Sequence, residues 1–75
     1  MTLLADLPRG VKARVAKVHG VDDISVRLLE MGLTPGVELV LIGAAPLGDP
    51  LELELRGYRL SIRRSEAARV EMEPA

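Results

Sequence analysis

The chain predicts a mainly β fold: a small barrel of about five strands, with one short helix inserted between the first two long strands. Three observations carry this. Apolar and polar residues alternate with period two in several short stretches, the mark of half-buried strands. Only one stretch shows helical spacing, with Ile24, Leu28 and Met31 at i, i+4 and i+7. Glycine and proline punctuate the intervals between these stretches. Short strands in so small a chain gain from closing on themselves, because closure limits unpaired edges.

In order along the chain, Leu4, Leu7, Pro8 and Gly10 form an opening segment whose leucines pack while the proline and glycine set a turn. Val11, Ala13 and Val15 then alternate with Lys12, Arg14 and Ala16 as the first long strand, which ends soon after Val18 at Gly20. Asp22 or Asp23 caps the helix, both carboxylates being favourable at its positive end. Val21 and Leu29 are expected to widen its buried stripe. Gly32 stops the helix, where a left-handed residue can satisfy its orphan carbonyls, and Pro35-Gly36 supplies a type II turn. Residues 37–45 are apolar apart from Glu38 and Gly43. Such a run suits a strand covered on both sides, or equally an edge strand through which the domain self-associates weakly. The turn-rich residues 45–50, with Gly48, Asp49 and Pro50, form a loop. Leu51, Leu53 and Leu55 alternate with Glu52, Glu54 and Arg56, Gly57 permits a tight reversal, and Tyr58, Leu60 and Ile62 return. A single helical turn over residues 65–68 precedes a closing strand with Val70 and Met72 inward.

Composition narrows the function. The 75 residues include 13 Leu, 8 Val and 3 Ile but no Phe or Trp and only Tyr58, so the core is aliphatic. No cysteine is present to form a disulfide or thiolate site. Ten basic and 11 acidic residues are interspersed for a net charge of -1, unlike the basic footprint of a nucleic-acid binder. The start of the chain lacks a signal pattern, and no apolar run approaches the roughly 20 residues of a membrane span. One domain over residues 1–75, soluble and cytoplasmic, is the expectation.

The chemistry-bearing residues are sparse. His19 is the only histidine, and capping or solvation accounts for Asp22, Asp23 and Glu30 near it, so no metal site and no cofactor is predicted. Ser25, Ser61 and Ser65 have no base, and the alternating Glu52, Glu54, Glu71 and Glu73 mark a solvated sheet face, so no catalytic residue is assigned. Gly32, Pro35, Gly36, Gly48, Asp49, Pro50 and Gly57 are explained as turn residues. Leu33 stands between a helix stop and a turn with no periodic partner; it either plugs the barrel end or is exposed as an anchor for another protein. Leu47, mid-loop, poses the same choice. Arg56, Arg59, Arg63 and Arg64 read as a solvated face balanced by Glu52, Glu54 and Glu71.

Residues 27–36 read RLLEMGLTPG, and this wording resembles the hallmark of the FeoA family. The opening LADLPRG and the later APLGDPLELELRGYRLSIRRSEAARVEM resemble the same family in the same order, so the likeness runs from Leu4 to about Met72. It implies an SH3-like β-barrel with a helical insertion. It also implies a small cytosolic partner of FeoB, a ferrous-iron permease with a GTPase domain, acting by protein contact rather than catalysis and touching the membrane only through that partner. Because the chain starts at Met1 without a DNA-binding helical domain, the stand-alone form is expected. The contact is then placed on the helix end and following turn, at Leu28, Met31, Gly32, Leu33, Thr34 and Pro35, with Leu47. The alternative is a metal-responsive module like the SH3-like C-terminal domain of iron-dependent repressors. A nucleic-acid-binding SH3-like barrel would need a basic face with exposed aromatics, and one tyrosine with balanced charge opposes it.

Overall fold

The alternating segments do pair as strands, in a computed structural model that describes residues 2–75. Met1, where the single-domain expectation begins, lies outside the described residues. The order is β1 (Thr2–Leu3), a 3-10 turn (Leu4–Asp6), β2 (Lys12–Val18), α1 (Asp23–Glu30), β3 (Glu38–Ala44), β4 (Leu51–Leu55), β5 (Tyr58–Ile62), α2 (Arg64–Ala67) and β6 (Val70–Pro74). The six strands form one antiparallel sheet in the order β1-β6-β2-β3-β4-β5, and α1 falls between the first two long strands. Leu39, Leu41, Leu51, Leu53, Ile62 and Met72 turn inward with Leu4 and Leu28 as one aliphatic cluster.

Two features differ from the sequence expectation. A sixth strand exists because Thr2 and Leu3 pair with Met72 and Glu71, a ladder too short to show periodicity. The sheet is also not closed by hydrogen bonds: β1 and β5 stand at its two ends. β1 is only two residues long before the chain winds into the 3-10 turn, leaving no extended backbone there for β5. Arg64, at the start of α2, reaches across instead. Its backbone N–H donates to Asp49 Oδ1 (3.0 Å), its Nε to the Gly48 carbonyl (3.1 Å) and its Nη1 to the Ala5 carbonyl (3.0 Å).

The apolar run of β3 is a central strand, bonded to β2 on one side and β4 on the other. Self-association through an edge at this strand is therefore corrected: its edges are already used. Leu39 and Leu41 face the core, while Val40 and Ile42 are half-buried on the outer face. β4 and β5 join through Arg56-Gly57, both with positive φ (50° and 82°), the geometry of a two-residue type I′ hairpin.

α1 begins at Asp22, whose carboxylate accepts the Ser25 N–H (3.1 Å) while the Ser25 hydroxyl donates to the Asp22 carbonyl (2.8 Å). Arg69 Nη1 lies 2.5 Å from the same carboxylate. That bond first, and the Ser25 N–H second, lower the Asp22 pKa from 3.8 to about 2. At the other end of the helix pair, Glu66 caps α2 by accepting the Arg63 N–H (2.9 Å), and its second oxygen pairs with Arg27 of α1. Contrary to expectation, Val21 and Leu29 do not widen the buried stripe. Both are exposed, because Val21 precedes the helix and Leu29 lies about 100° around it from Leu28. No helix among the described residues is long and apolar enough to cross a membrane.

Candidate functional site

The helix stop seen in the sequence is a Schellman motif. Met31 is the C-cap, Gly32 follows with φ of 107°, and the Gly32 N–H donates to the Leu29 carbonyl (3.0 Å). The Leu33 N–H then reaches back to the Leu28 carbonyl (3.1 Å), satisfying two of the orphan groups at the helix end. This motif characteristically brings the residue after the glycine against the helix interior. Leu33 and Leu28 are accordingly both 0% exposed. The choice left open for Leu33 resolves toward the plug. As candidate contact residues, Leu28 and Leu33 are corrected: their side chains lie beneath the surface and have nothing to offer a partner directly.

What remains exposed is a rim. Met31, Gly32 and Thr34 are half-buried and Pro35 is exposed. The Val37 N–H donates to the Thr34 carbonyl (3.1 Å) and Gly36 has φ of 93°, so residues 34–37 make the type II turn expected of Pro35-Gly36. Two bonds of 2.8 Å, Gly36 N–H to the Val15 carbonyl and Val15 N–H to the Val37 carbonyl, fasten that turn to β2. The turn and the β4–β5 hairpin tip form opposite walls of a shallow cleft of about 610 Å³, with Glu38, Val40, Glu54 and Arg56 along it. Its charge is mixed: Lys12 and Arg56 against Glu38 and Glu54.

Tyr58 belongs to this rim and was missed in the sequence. Its hydroxyl donates to the Met31 carbonyl (2.7 Å), capping the helix end from β5. It also lies 2.6 Å from where a Cβ on residue 32 would sit, so a side chain there would have to displace the hydroxyl in addition to adopting the unfavourable positive φ. The signal available was its position: the only aromatic residue, one place after the hairpin glycine.

Leu47 does not join the rim. It is 97% exposed, in the loop after β3, whereas the Pro35-Gly36 turn precedes β3. Seven residues of strand, roughly 20 Å, separate the two. Gly48 and Asp49 of that loop are the residues Arg64 holds, so Leu47 projects from an anchored loop. His19, just after β2, is half-buried with Nε2 3.0 Å from Glu71 Oε1. Among the described residues no three His, Asp or Glu side chains converge on a common point. β5 places Arg59 opposite Glu54 on the strand face. Arg64 departs from the expected solvated face: its guanidinium is engaged by the Gly48 and Ala5 carbonyls.

Comparison with known proteins agrees with this architecture. The FeoA domain family matches residues 2–74. A relative from Porphyromonas gingivalis, an Fe(2+) transport protein A/Fe(2+) transporter FeoB fusion protein, is 36% identical over 70 residues, covering 93% of this chain but only 8% of the relative. The solution structure of iron(II) transport protein A from Clostridium thermocellum superposes with a TM-score of 0.90 at 32% identity, over 97% of this chain and 45% of that one. The crystal structure of Stenotrophomonas maltophilia FeoA complexed with zinc, described as a prokaryotic SH3 domain protein, superposes with a TM-score of 0.83 at 34% identity, over 97% and 91%. With the family matched over nearly its whole length, on a mainly β scaffold shared with solved members, the chain belongs to the FeoA domain family.

Proposed function

We propose that this chain is a cytoplasmic, non-catalytic adaptor that docks on a FeoB-type permease with a GTPase domain and supports ferrous-iron uptake. The observation that carries the reading is the Porphyromonas gingivalis relative, in which the matching domain and FeoB are one polypeptide. The geometry supports contact rather than chemistry. The Met31–Pro35 rim is held rigid by the Schellman motif, the docked turn and the Tyr58 bond, so little conformational entropy is lost when a partner covers it. Leu28 and Leu33 act from beneath by fixing the rim's shape. Leu47 offers a second, separate apolar contact at the other end of β3. Docking shifts the permease between conformations only to the extent that one of them binds this domain more tightly.

The test is calorimetry of this domain against the full-length permease of the same genome in nanodiscs, with and without a GTP analogue. Saturable binding, weakened at least tenfold by Thr34→Arg, is expected. Absence of binding by the wild-type domain in every nucleotide state overturns the adaptor reading.

A further inference from the structure

α1 carries apolar side chains on two sides, and the second side has no partner in the chain. Ile24 and Leu28 pack on the core. Facing away, Val26 is 50% and Leu29 39% exposed, and Val21 just before the helix is fully exposed. These three make up half of the six large apolar residues exposed among the described residues. Single exposed apolar residues are ordinary, but a cluster on one short element is not.

Two local explanations fall short. A hydrophobic staple would pack Val21, the residue before the N-cap, against Val26 four positions into the helix. The complete exposure of Val21 shows that this contact is not made. Helix propensity suits Leu29 but not Val26, since a β-branched valine is a poorer former than alanine, lysine or glutamate at a solvent-facing position.

The charges around the stripe are sorted. Asp22 is taken by Arg69, and Arg27 by Glu66. Asp23 and Glu30 make no ion pair among the described residues. At 100° per residue, Val26 lies about 60° from Leu29 on one side, and about 40° from Glu30 and 60° from Asp23 on the other. An apolar strip is thus bordered along one side by two free carboxylates.

We propose that this outward face of α1 is a docking surface for an amphipathic segment whose apolar residues are bordered by lysine or arginine, presented by the cytosolic part of the permease. The inference rests on the adaptor reading and adds to it a second face, beyond the Met31–Pro35 rim, and the chemistry of the partner segment that covers it. Apolar burial supplies the attraction, and the Asp23 and Glu30 carboxylates set the register and steer the encounter.

The test uses the full-length permease in nanodiscs and two double variants of this domain, Val26→Ser/Leu29→Ser and Asp23→Asn/Glu30→Gln. Circular dichroism melts establish that both remain folded, and sedimentation of the domain alone reads its oligomeric state. The first variant is expected to bind at least tenfold more weakly. The second is expected to bind about threefold more weakly, with a flatter dependence on salt. Wild-type affinity in both variants overturns the proposal while leaving the adaptor reading intact. Absence of wild-type binding removes both. A wild-type dimer that Val26→Ser/Leu29→Ser converts to monomer assigns the face to a second copy of the chain and also overturns the proposal.

Discussion

Replacing Leu33 with alanine separates its burial from any direct part in recognition. The substitution removes three carbon atoms from a side chain that is 0% exposed. At about 0.8 kcal/mol per buried carbon the transfer loss is about 2.4 kcal/mol, and the cavity left beside Leu28 raises it to about 3 kcal/mol. For a domain of this size each kcal/mol lowers Tm by about 4–8 °C, so a fall of about 12–24 °C is expected. Leu47→Ala is the matched control. Its side chain is 97% exposed, and its effect should stay within about 0.5 kcal/mol. Urea titration followed by circular dichroism measures both. A Leu33→Ala chain as stable as wild type, yet unable to bind the permease, would refute the reasoning and return Leu33 to the surface as an anchor.

Two further predictions concern the ends of α1. The Asp22 carboxyl has its pKa lowered from 3.8 to about 2, so its contribution to stability is fully present above about pH 4 and is lost as the pH falls through 2. Arg69→Met should move the carbon-13 titration of the Asp22 carboxyl upward and bring acid unfolding to a higher pH; an unchanged titration contradicts the assignment. Gly32→Ala should cost about 2 kcal/mol, from its positive φ and from the Tyr58 hydroxyl 2.6 Å from the new methyl. Adding Tyr58→Phe removes that contact and should recover part of the loss. A double-mutant cycle showing no coupling excludes the contact as its cause.

Much of the fold was legible because its signals are local. Leu51, Leu53 and Leu55 alternate with charged neighbours, Gly57 reverses the chain, and Pro35-Gly36 encodes a turn type within four residues. Asp22 announces the helix start by the same kind of short-range chemistry. The features that were not legible depend on distant partners. Thr2 and Leu3 become a strand only because Met72 and Glu71 arrive beside them. The Arg64 bonds to Ala5 and Gly48 join segments far apart in sequence, as does Tyr58 capping Met31. Leu33 lies between the two cases. A hydrophobic residue directly after a helix-ending glycine is the Schellman pattern, and that local rule favours burial over exposure. The separation of Leu47 from the rim followed only from β3 running its full length between them.

The pairing of Thr2 with Met72, and of Ala13 with Pro74, brings the two ends of the domain to neighbouring strands. A domain with adjacent ends can be carried at either terminus of a larger protein, or inserted within one, without opening its core. A short tether then sets the local concentration of its partner near the millimolar range. Under that condition a face with weak intrinsic affinity is enough, whereas an untethered copy must supply the same occupancy from its contacts alone. The same scaffold can therefore serve covalently joined and freely diffusing assemblies, the demand on its surface chemistry being what changes between them.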